Sequence, residues 1–152
     1  MNSRKLPCLM VAIAAMLPLA TQAKDPVPPP GDWKSIARSA GQEAFVDMGS
    51  IEAVDAGLKA AVKINYSTPQ TFGKKTYQSV RNVYIIECAS RRLADRENVI
   101  YPGPDLSGKS ISRASRKGKN LIWRDAPVAS VDGELLTYVC KQGAAPAVPA
   151  KK

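Results

Sequence analysis

Five cations, Lys109, Arg113, Arg116, Lys117 and Lys119, fall within eleven residues that contain no acid and are otherwise rich in Ser and Gly. Exposed charge of one sign attracts its opposite within a Debye length of about 8 Å at physiological salt. The small residues around it let the backbone adapt to an irregular partner. The segment therefore reads as a flexible cationic loop that meets a polyanion such as lipopolysaccharide or a glycosaminoglycan. The plainer reading is a solvated loop that keeps the protein soluble. Lys74-Lys75 and Arg91-Arg92 are smaller clusters of the same kind. Nucleic acid is not an expected partner, because no aromatic lies between Gly108 and Gly118 to stack on a base.

Other chemistry is sparse. The chain has no histidine, so a Ser-His-Asp or Cys-His arrangement is excluded. No glycine-rich phosphate loop of either common spacing occurs. The nearest group of carboxylates is Asp47, Glu52 and Asp55, set around Gly49 and Gly57. Carboxylates so placed cap turns, and general acid–base work is the alternative they leave open. No enzyme, no cofactor and no metal site is expected. Trp33 and Trp123 stand at strand positions, where packing is the ordinary role of an aromatic and an exposed binding patch the alternative.

The cysteines point to the compartment. Arg4 and Lys5 precede an apolar run from Leu6 to Ala20, and Thr21-Gln22-Ala23 ends it with small residues. That is the pattern of a cleaved secretory signal, predicted to end before Lys24. The run is too short for a spanning helix, so no transmembrane segment is expected after cleavage. Cys8 follows Pro7 at the start of the run, the wrong place for lipidation, and leaves with the signal. The signal carries two of the 22 basic residues and none of the 13 acidic ones, which sets the mature charge at +7. Cys88 and Cys140 remain, an even pair in an exported chain, and read as one disulfide.

Elements must then be found to hold these residues. Lys24–Gly31, with four prolines, reads as an extended spacer. Residues 143–152 read as a disordered tail, leaving a compact domain over about 32–142. Within it Leu58, Ala60, Val62, Ile64 and Tyr66 alternate with Lys59, Ala61, Lys63 and Asn65, a strand with one apolar and one mostly wet face. Val80–Ala89 is apolar on both sides near its middle and belongs in the centre of a sheet. Ser67–Lys75 reads as the hairpin loop between them. Trp33–Arg38, Glu43–Met48, Asn98–Tyr101 and Ser110–Ala114 read as further strands, with Leu121–Trp123 a short one. Leu135, Leu136, Val139 and Cys140 form a helical stripe, with Ser130 or Asp132 as its cap and Gly143 at its stop. The predicted fold is α+β: an antiparallel sheet of about six strands, with one C-terminal helix stapled to the central strand through Cys140 and Cys88.

Taken in order, Trp33, Phe45-Val46-Asp47, Ser50-Ile51, the alternating strand Leu58–Tyr66, Cys88, the Tyr101–Gly108 turn region, Trp123, Ser130, Leu135-Leu136 and Cys140 resemble the surface-adhesin protein E family of Gram-negative bacteria. The resemblance runs from about Asp32 to Lys141. It implies a six-stranded antiparallel sheet with a helix, and attachment to host matrix proteins such as vitronectin and laminin. It carries no binding motif that can be placed on particular residues. Lipid anchoring, which the family's founding member has, finds no signal in this chain. The function expected is that of an exported binding module of the cell envelope, in the periplasm or on the outer cell surface. A non-adhesive periplasmic structural or accessory protein is the alternative, and a small carboxylate hydrolase a third.

Overall fold

The computed structural model describes residues 31–143. The expected signal (1–23), the spacer up to residue 30 and the tail after Gly143 lie outside the described residues. Eight strands run in the order β1 (Trp33–Ser39), β2 (Gln42–Asp47), β3 (Glu52–Val54), β4 (Gly57–Phe72), β5 (Lys75–Glu87), β6 (Arg92–Tyr101), β7 (Ser112–Ser115) and β8 (Trp123–Asp125), and one helix follows, α1 (Val131–Gly143). All pairings are antiparallel, in the spatial order β1-β2-β4-β5-β6-β7. β3 pairs with β4 beyond the end of β2, and β8 pairs with β6 beyond the end of β7. The sheet is thus six strands across, as the sequence predicts, with the line beside β4 made of β2 and β3 and the line beside β6 made of β7 and β8.

The period-two patterns give the two faces. Ala44, Val46, Ala60, Val62, Ile64, Tyr84, Ile86 and Leu93 line one face and are buried. α1 lies on that face and buries Leu135, Leu136 and Val139 against it. Ser130 is the cap of the two candidates: its Oγ accepts the Gly133 N–H at 3.1 Å and donates to the Pro127 carbonyl at 2.7 Å. Asp132 instead takes Arg124, whose guanidinium also holds Asp95 of β6, at 3.1 and 2.9 Å. The far end of the helix is fixed by the Cys88–Cys140 disulfide, Cα atoms 5.8 Å apart, just past the last residue of β5. The helix extends through Gly143, one residue beyond the predicted domain edge.

Three local expectations are corrected. Ser67–Lys75 is not an open loop: β4 continues to Phe72 and β5 starts at Lys75, leaving a two-residue turn with Gly73 at φ 61°. Glycine at the first of two turn positions suits the twist of a tight hairpin, and the Pro69 region is absorbed by an irregularity between Asn65 and Gln70. β6 starts at Arg92, well before Asn98, because polar Asp95–Glu97 hide its periodicity. The flexible-loop reading of Lys109–Lys119 holds only in part: the strand expected at Ser110–Ala114 forms over Ser112–Ser115 and pairs with β6, and a short 3-10 turn follows at Gly118–Asn120.

Candidate functional site

The face away from α1 is charged, for a reason already present in the strands. Residues that alternate with the core positions must point to the other side. The register places Phe45, Lys63, Arg81, Val99 and Arg113 side by side across five strands. Like charges directly opposite one another repel, so Lys63 and Arg81 each need an acid. Lys63 donates to Asp105 at 2.7 Å and lies by the rings of Trp33 and Phe45, its Nζ 5.3 and 4.4 Å from their centroids. Arg81 pairs with Glu97 at 3.0 Å.

Asp105 comes from the connection between β6 and β7, which folds back across this face. Its backbone is left-handed at φ 52°, and Leu106 follows at φ 61°. Such a conformation is rare for a residue with a side chain, and here it is held by surrounding contacts. The Asn65 amide donates to Asp105 Oδ1 at 2.8 Å, the Asp105 N–H donates to Asn65 Oδ1 at 3.1 Å, and Ser79 Oγ takes the Leu106 N–H at 2.9 Å. The Lys63 ammonium, and next the Asn65 amide, hold the Asp105 carboxyl below the usual carboxylate range.

The cationic segment runs along the margin of the sheet. Lys109, Arg113, Lys117 and Lys119 are exposed, and Arg116 is half-buried. Arg113 points to the open face and reaches Glu97 at 3.6 Å, so the segment has an acidic neighbour on β6 that its own sequence does not contain. The Arg116 N–H donates to the Arg96 carbonyl at 2.8 Å, which ties the segment to β6 below the paired residues.

The carboxylates weighed for catalysis do not converge. Asp47 accepts the Gly49 and Asp32 N–H groups at 3.2 Å each, the work of a cap, and Glu52 is paired with Lys59. No group of three or more His, Cys, Asp or Glu able to hold a metal occurs among the described residues. Both tryptophans are partly buried on the open face: Trp33 beside Lys63, and Trp123 beneath the Arg92 guanidinium at 5.4 Å.

Sequence reasoning missed Lys63, Arg81, Arg96 and Glu97 as a group. The wet positions of β4 carried the signal for Lys63, whereas Arg81 stood inside a run read as apolar on both sides. Arg96 and Glu97 lie together because of an irregularity that no alternation reveals: Val83 pairs with Glu97 and Tyr84 with Asp95, which leaves Arg96 as an extra residue.

Residues 33–141 match the family model described as Surface-adhesin protein E. No curated protein matches the chain. Among solved structures, Haemophilus influenzae protein E aligns with a TM-score of 0.52 at 17% identity, over 76% of this chain and 91% of that one. Its crystal form II aligns with the same TM-score and identity, over 76% and 94%. These structures share the fold. No helix among the described residues is long and apolar enough to cross a membrane.

Proposed function

We propose that this chain, which belongs to the surface-adhesin protein E family, is an exported adhesin-like binding module of the cell envelope that engages an anionic macromolecular surface through Lys109–Lys119. The mature protein begins at Lys24 once the signal is removed, and the binding domain follows at about 32–142. One observation carries the assignment of the surface: four exposed cations and a fifth half-buried one follow a sheet margin and its turn, with Glu97 as the one acid in ion-pair reach among the described residues. The partners that fit are a sulfated glycosaminoglycan, lipopolysaccharide or an acidic patch on a host matrix protein. We read the protein as a binder and not an enzyme, since Asp47 is engaged as a cap and Glu52 in an ion pair.

The test is retention on immobilised heparin across a salt gradient. Replacing Arg113, Arg116 and Lys117 with Ser should lower the eluting salt concentration while the circular dichroism spectrum stays the same. Parent and variant eluting together would reduce the segment to a solvated margin. Protease accessibility on intact cells separates outer-surface from periplasmic placement, and digestion of the domain without lysis is the outcome expected.

A further inference from the structure

A second feature of the open face lies inward of that margin. A shallow depression of about 240 Å³ opens between β3, β4, β5 and β6, with Ala61 and Val83 as its floor. Its walls are Glu52, Lys59, Arg81, Arg96 and Glu97. Glu52 pairs with Lys59 and Glu97 with Arg81, so four of the five charges are matched. Arg96 has no ion-pair partner among the described residues.

Arg96 reaches this wall because of the irregularity in β6. Strict alternation would put Arg96 and Glu97 on opposite faces, and one of them against the core. The extra residue opposite Val83 and Tyr84 brings both to the depression instead. An extra residue of this kind re-aims side chains at the expense of ladder pairing. Its backbone is held from outside by the Arg116 N–H on the Arg96 carbonyl. The guanidinium is therefore presented from a fixed backbone, which lowers the ordering cost of binding.

We propose that the depression is a subsite for one uronic acid residue of a non-sulfated acidic glycan, with Arg96 on the carboxylate. Three cations against two carboxylates leave a lining of one positive charge, which suits a monoanion and repels a sulfate cluster at Glu52 and Glu97. A planar carboxylate meets a guanidinium through two parallel hydrogen bonds. Glu52 and Glu97 are acceptors only when ionised, and ring hydroxyls are the donors that satisfy them. The small apolar floor of Ala61 and Val83 faces the C–H side of a sugar ring. The volume is below the range of about 300–1,000 Å³ for drug-sized ligands, which fits one ring with its neighbours outside. This site adjoins the Lys109–Lys119 margin only through Arg113, which reaches Glu97 at 3.6 Å, and the Arg116 N–H on the Arg96 carbonyl, and either can fail without the other.

The full mature chain is titrated by NMR or calorimetry with a hyaluronan tetrasaccharide, a chitin tetrasaccharide that lacks the carboxylates, and free glutamate. Binding of the hyaluronan probe alone is expected. Arg96→Gln should weaken it by roughly tenfold or more, as the loss of a charge-assisted pair predicts. Arg96→Lys, which keeps charge but not the paired geometry, should fall between the two. A Lys117 and Lys119 to Ser variant, which leaves Arg113 beside Glu97, should keep hyaluronan affinity even where it loses heparin retention. Equal binding of the chitin probe, preference for glutamate, no hyaluronan binding at millimolar concentration, or full affinity in Arg96→Gln would each overturn the proposal.

Discussion

On the helix side of the sheet, Val46, Val62, Ile86 and Leu93 lie beneath Leu135, Leu136 and Val139, and charge is confined to the margin at Lys34 and the Arg124 bridge. On the other side of the same strands, displaced by one residue, stand Lys59, Lys63, Arg81 and Glu97. Tyr84, on the helix side, shows how dry that layer is: burial pushes its hydroxyl well above the ordinary tyrosine range. The open face binds its own charges in pairs and leaves others at its edge. One layer holds the fold through apolar area and a covalent staple. The other tolerates change because its ion pairs, the nearly buried Lys63–Asp105 pair excepted, stand near solvent, where each is worth little. A binding surface can vary on such a face without loss of the domain.

The sharpest way to break this division is to cut the staple. The disulfide spans a sequence separation of 52 residues, for which the chain-entropy relation gives about 4 kcal/mol. Replacing Cys88 and Cys140 with Ser should lower the urea midpoint accordingly. A midpoint unchanged within error would move the main source of stability away from the helix. Next in size is Leu136→Ala, a fully buried helix residue, expected to cost about 3 kcal/mol in the same measurement.

A smaller effect is expected on the open face at Asp105. Asp105→Asn removes the partner of an ammonium that is 10% exposed, at a cost of roughly 1–2 kcal/mol. The pH dependence has a definite sign. The folded Asp105 carboxyl titrates below its unfolded value, so its contribution is present above the unfolded pKa of about 3.9 and is lost as pH falls through the lower folded one. Amide protection in Asp105–Ser107 should therefore fade below about pH 4 in the parent, and Asp105→Asn should remove that pH response. Smallest of all, replacement of Arg113, Arg116 and Lys117 with Ser should change stability by under about 0.5 kcal/mol, as measured by the same denaturant titration.

The helix side was legible in the sequence because it follows simple periods. Alternation marked Leu58–Tyr66, spacings of one, three and four marked Leu135–Cys140, and the two cysteines outside the expected signal marked the staple. The open face was less legible because its groups meet through register. Nothing local to Arg113 announces Glu97, and nothing near Lys63 announces Asp105, 42 residues away. Arg96 depends on one extra residue in β6, which composition and period do not carry. The basic segment was visible as charge and a strand was legible at Ser110–Ala114, but the register on β6 that brings Arg113 beside Glu97 was not.

The central claim is that stability and binding lie on opposite sides of one sheet. It is tested most directly by mapping amide chemical shifts of the mature protein during titration with a heparin-derived oligosaccharide. The account predicts changes concentrated in Arg113–Lys119 and the adjoining β6 residues, with Val131–Cys140 unmoved. Changes centred on the helix, or none anywhere at concentrations where heparin retains the protein, would contradict it.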